Sequence, residues 1–187
     1  MELSSQTVHL IGGIAFTALS LAMIFSIVSN ASSRLTDFGL AILFMLYGAE
    51  SVFDLAIHGS AVPENYAMET FQHLIQGGIL FFAGAIEILR LSGVLKHRLW
   101  SFAVPIGLIG LGGIFLLHAQ SGMDADAMML MIAQHRAFGV VLVLAAAGYV
   151  LARFRLAENR AADLGWVISL LAFGLMLILY REGMAAM

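Results

Sequence analysis

The sequence predicts an all-α integral membrane helical bundle of about six transmembrane helices, built as a single domain over residues 1–187. Two observations predict it. Of the 187 residues, 61% are hydrophobic and only 11% charged, whereas a soluble domain is about a quarter charged. The apolar residues also gather into six runs, near 9–29, 38–58, 70–92, 99–118, 127–152 and 165–181. About 20 apolar residues in a helix span the hydrocarbon core of a bilayer. Backbone groups in lipid must be satisfied internally, and the alternating ten-residue segments of a barrel are missing, so the spans are helices.

Each run has its own features. The first, 9–29, has no Lys or Arg before it, unlike a secretory signal, and reads as a membrane span. The second carries Glu50, Asp54 and His58. The third opens on Gln72-His73 and holds Gly77, Gly78 and Gly84; the fourth holds Gly110, Gly112 and Gly113 and closes on His118. Small residues inside spans let helices approach closely. The fifth contains His135-Arg136, and the sixth is mostly apolar. With two prolines, no biased segment and only short polar connectors, no second domain is visible.

Composition also excludes. The chain has no cysteine, so there is no disulfide framework, thiolate metal site or thiol nucleophile. A net charge of −3 without a basic patch gives no nucleic-acid partner. The partners it implies are the lipid bilayer, subunits of a larger membrane complex, or further copies of this chain.

The connectors predict an orientation. Arg34, Arg90, Lys96, Arg98, Arg153, Arg155 and Arg160 lie in or beside the first, third and fifth connectors, seven of the nine basic residues. The second and fourth carry Glu64, Glu69, Asp124 and Asp126 and no Lys or Arg. The positive-inside rule makes the basic side cytoplasmic, with both termini extracytoplasmic.

With that topology, five of six histidines share the outer leaflet: His9, His58, His73, His118 and His135. His97, between Lys96 and Arg98, is expected to be a solvated loop residue. In the second span Glu50, Asp54 and His58 recur at every fourth position, each step rising about 6 Å and turning about 40°. Asp54 and His58 can therefore reach one metal ion. Glu50, about 12 Å from His58 along the axis, suits a second ion or the orienting of a ligating histidine. Intramembrane acids and histidines are costly unless paired and by default mark function. The bland alternatives are a pair between Asp54 or Glu50 and Arg136, and histidines that only bond a neighbouring helix. As a set converging from four helices, Asp54, His58, His73, His118 and His135, with Glu50, form the expected metal site, its weakest neighbour being His9 at headgroup depth.

Imidazoles with a carboxylate suit zinc or copper first, and iron also. Met123, Met128, Met129 and Met131 would suit copper delivery, although methionine is also an ordinary filler of apolar helices. Gln72, Gln76, Gln120 and Gln134 stand near the histidines and could fix their tautomers. Glu87, at the opposite end, is expected to pair with Arg90 at i+3.

The run Gln72-His73 followed by LIQGGILFFAGAIEIL, and the segment GLGGIFLLHAQSGMDADAMMLMIAQHRAFG, resemble two signatures of the transmembrane protein 45 family. Gly48-Ala49-Glu50 resembles that family's acidic helix. The likeness covers about 40–150. It implies a polytopic membrane protein with a His/acid cluster of Glu50, His73, His118 and His135. The chain departs from the family in lacking a second histidine after His118 and in being shorter than its eukaryotic members. Asp54, His58 and His73 also resemble, in spacing, the copper trio of the C subunit in particulate methane and ammonia monooxygenases, although the second interval differs by a couple of residues.

Three functions follow. The first is an integral membrane metal-binding protein, a metal-centre or accessory subunit of a larger complex. The second is a metal-dependent intramembrane enzyme, a hydrolase or oxidase of lipid-like substrates, with Asp54 or Glu50 as general base. Ceramidase-like hydrolases set that precedent, but their paired HxxxH motif is absent. The third is a structural accessory subunit without metal.

Overall fold

The computed structural model describes residues 5–31, 34–57, 66–117, 125–154 and 160–181. Six α-helices follow in order: α1 Ser5–Ser29, α2 Arg34–Ile57, α3 Tyr66–Leu91, α4 Ala103–Leu117, α5 Ala125–Arg153 and α6 Arg160–Ile178. A 3₁₀ turn, Arg98–Phe102, leads into α4. Among the described residues there is no strand. Six helices are long and apolar enough to cross a membrane, and the protein is a multi-pass membrane protein.

Local chemistry sets the helix ends. At the end of α1, Asn30 takes φ 54° and the Ala31 amide donates back to the Ser26 carbonyl at 3.0 Å. At the end of α3, Gly93 takes φ 77°, its amide donating to Arg90 and that of Val94 to Leu89, both at 3.0 Å. Left-handed Asn or Gly at such positions satisfies carbonyls that a terminating helix leaves open. His97 is exposed and its Nδ1 accepts from the Leu99 amide at 3.2 Å, capping the 3₁₀ turn, so the solvated reading of this residue holds. Pro105 falls in the first turn of α4, where a missing amide hydrogen costs nothing.

The helices close into a ring, each packed on its chain neighbours and α1 against α6. Cross-helix contacts pair Gly48 with Phe81, Gly112 with Gly139, and Gly13 with Gly174, so each of these couples is antiparallel. A Cβ on Gly48 would lie 2.5 Å from the Phe81 amide nitrogen, and one on Gly139 would lie 2.6 Å from the Gly112 carbonyl. Only glycine permits such approaches. Gly78 and Gly113, expected to serve the same purpose, face open space. Period 3.6 explains the split, since neighbouring glycines point about 100° apart and only one of each pair meets the adjacent helix.

The middle of the ring is filled by aromatic rings from five helices: Phe16, Phe44, Phe115, Phe138 and Phe173. Phe16 meets Phe173 edge-on with centroids 5.2 Å apart, and Phe138 meets Phe173 at 5.8 Å. Large apolar residues such as Phe25, Phe82 and Ile106 lie on the outside, where a bilayer rather than water accommodates them. This arrangement sends polar groups to the two ends. One end carries Arg34, Arg90, Arg98, Arg153 and Arg160; the other carries His9, His73 and His135.

Candidate functional site

At the histidine end three rings meet, two from helices and one from the segment just past α6. His9 in α1 stacks on Tyr180, just past α6, with centroids 4.1 Å apart and planes 18° apart. His135 in α5 stands edge-on to both, 6.4 Å from His9 and 5.7 Å from Tyr180. Phe115 and Phe138 close the site from the core side, 5.5 and 5.6 Å from His135. His135 is buried, and its Nδ1 lies 2.9 Å from the Met131 carbonyl of the preceding turn. A carbonyl only accepts, so Nδ1 carries the proton and the lone pair of the neutral ring falls on Nε2.

Around this trio lie further polar groups. His73, half-buried in α3, lies at this same end of the bundle. Ser51 is buried in α2, donates to the Tyr47 carbonyl at 3.0 Å and accepts from Gln76 at 3.3 Å. Gln134 clasps the end of α6, donating to the Arg181 carbonyl at 2.9 Å and accepting from its amide at 3.0 Å. Gln76 thus ties α3 to α2 and Gln134 ties α5 to the segment after α6, and neither bonds a histidine among the described residues. The Gln72 Oε1 atom is buried without a hydrogen-bond partner among the described residues.

Of the six expected ligands, Glu50, His73 and His135 have described side chains, and Asp54 is described in its backbone alone. His58 and His118 lie outside the described residues; they follow directly on Ile57 and Leu117, the last described residues of α2 and α4. Among the described residues no three His, Asp or Glu side chains stand close enough to hold one ion. Arg136 is exposed and makes no ion pair with Glu50. Met131 is fully buried while Met129 is 63% exposed, so the methionines of α5 do not share one face, and Met123 and Gln120 lie outside the described residues.

Sequence reasoning set His9 at the margin and passed over Tyr180. Neither shares a helix with another site residue, so no spacing rule links them. An aromatic at the end of a span also reads first as an interfacial anchor.

The arginine end holds a second polar region. Glu87 is buried and Arg90 grips it at both oxygens, Nε at 2.7 Å and one terminal nitrogen at 2.6 Å. This is the pair expected from their i+3 spacing. The Tyr149 hydroxyl, from α5, approaches the same carboxylate at 3.5 Å. Arg160 donates to the Asn30 side chain at 2.8 Å, tying α6 to the end of α1. Beside these groups opens a cavity of about 710 Å³, bordered by α1, α2, α3, α5 and α6.

Fold and sites together define a six-helix membrane protein with polar groups collected at each end. No protein-family profile, curated protein or solved structure matches the chain.

Proposed function

We propose that the histidine end binds a transition metal ion, zinc or copper in first place, as a metal-centre or accessory subunit of a membrane complex. The carrying observation is His135: a buried imidazole whose Nδ1 is held by a backbone carbonyl, leaving Nε2 as the ligand nitrogen. Metal-ligating histidines are ordinarily oriented in this way through their other ring nitrogen. His73 and Glu50 supply candidate donors from α3 and α2, and Asp54, His58 and His118 complete the set proposed from spacing. The resemblance to the transmembrane protein 45 family belongs to this reading, since it selects Glu50, His73, His118 and His135. The positive-inside rule, applied to the arginine end, assigns the metal to the extracytoplasmic side.

Elemental analysis of the purified protein, before and after incubation with zinc or copper, tests the reading. The expected result is about one equivalent retained, lost in His135→Ala and in His73→Ala while the helical circular dichroism spectrum is kept. Less than about a tenth of an equivalent of any transition metal in the parent protein would falsify it.

The stack of His9 on Tyr180 and the clasp of Gln134 on Arg181 favour a second reading, in which the polar end only ties α1, α5 and α6 together. That reading expects no retained metal and a loss of stability in the same variants.

A further inference from the structure

The cavity at the arginine end is independent of the metal reading. Its charged lining comes from helix termini: Arg153 closes α5, Arg160 opens α6, and Asp37 and Asp163 lie in the first turns of α2 and α6. Glu87 and Tyr149 sit about one turn deeper, and Met23, Ile27 and Leu40 supply apolar wall. The volume, about 710 Å³, is in the range of sites that hold small organic ligands.

Among the described residues three arginines and three carboxylates face this one space, so the described lining is formally neutral. A ligand bearing both signs can pair with groups of both kinds, whereas a ligand of one sign leaves the other kind unmatched. Arg90 spends two of its five N–H donors on Glu87 and lines the cavity, which leaves three N–H donors not engaged by Glu87. Among the described residues Arg153, Asp37 and Asp163 form no hydrogen bond or ion pair. The cavity thus offers guanidinium donors for a phosphate, carboxylates for an ammonium, and apolar wall beside them at the depth of helix ends.

We infer that this cavity binds a phosphate–ammonium zwitterion, the headgroup chemistry of phosphatidylethanolamine, with Arg90 and Arg153 on the phosphate and Asp37 and Asp163 on the ammonium. Guanidinium forks suit phosphate oxygens, and charge-assisted bonds of this kind are the strong ones.

Trp166 lines the cavity and Trp100 is the only other tryptophan, so Trp100→Phe gives a protein whose fluorescence reports this space. The detergent-purified full chain is titrated with dihexanoyl phosphatidylethanolamine, dihexanoyl phosphatidylglycerol and free phosphoethanolamine. The expected result is saturable binding of the ethanolamine lipid about tenfold tighter than the glycerol lipid. Arg153→Gln and Asp163→Asn should each weaken it about tenfold, the scale of one charge-assisted bond. Equal strength for free phosphoethanolamine would support a soluble zwitterion as occupant; binding of the lipid alone would support the membrane as source. Both substituted residues are exposed at helix ends, and Asp37→Asn repeats the acid test from another helix. Equal or tighter phosphatidylglycerol binding, affinity for the ethanolamine lipid unmoved by either Asp variant, or no saturable signal overturns the inference.

Discussion

The ring of His9 lies flat on that of Tyr180, 4.1 Å centroid to centroid, and so joins the start of the first helix to the end of the last. About 170 residues of chain separate the two. Stacked aromatic pairs contribute about 0.5–1.5 kcal/mol beyond the area they bury. With that area included, Tyr180→Ala should destabilise the bundle by about 2 kcal/mol, and Tyr180→Phe by much less. Thermal unfolding in detergent reads the difference; an alanine variant that melts with the parent would show that the stack holds nothing.

The crossing of α2 and α3 gives a sharper test. Gly48→Leu must push the helices apart, because even its Cβ would sit 2.5 Å from the Phe81 amide nitrogen. A loss of about 2–3 kcal/mol is expected. Gly78→Ala, one helix away and facing open space, should be neutral or stabilising by up to about 1 kcal/mol. Denaturation of both variants side by side would expose an error in the packing if they behaved alike.

Glu87 and Arg90 are buried together, with side chains 7% and 12% exposed. Glu87→Gln removes the anion and leaves the guanidinium uncompensated, at a cost of about 3 kcal/mol. Replacing both, as Glu87→Gln with Arg90→Met, should recover much of that loss, since neither charge then remains to be solvated. A double variant as unstable as the sum of the two singles would mean that the residues do not act as a pair.

The orientation proposed from loop charge is open to labelling. The chain has no cysteine, so single substitutions are reported without background. Lys96→Cys should react with a membrane-impermeant maleimide only after the cytoplasmic face is opened, and Arg181→Cys in intact cells or spheroplasts. The opposite pattern would invert the bundle and place the histidine end in the cytoplasm.

The spans were legible because a membrane helix needs little more than length and apolarity, and both are local. That α2 is helical already at Arg34 and α3 at Tyr66, each about four residues before the apolar run, was not, since helices continue into the polar interface where hydropathy falls. The Glu87–Arg90 pair was legible because i+3 spacing fixes proximity on one helix. Tyr149 joins it from α5, and nothing in its sequence neighbourhood points to α3. The same reason hid His9 and Tyr180. Spacing speaks for one helix at a time, whereas their meeting depends on ring closure between α1 and α6. That closure rests on Gly13 and Gly174, two small residues among nineteen glycines.

The five phenylalanines at mid-height carry a further consequence. Phe16, Phe44, Phe138 and Phe173 are each at most 1% exposed, so the waist of the ring is closely packed. A rearrangement at one polar end can be felt at the other only if whole helices slide or tilt, a mechanical coupling that the closely fitted glycine crossings make stiff.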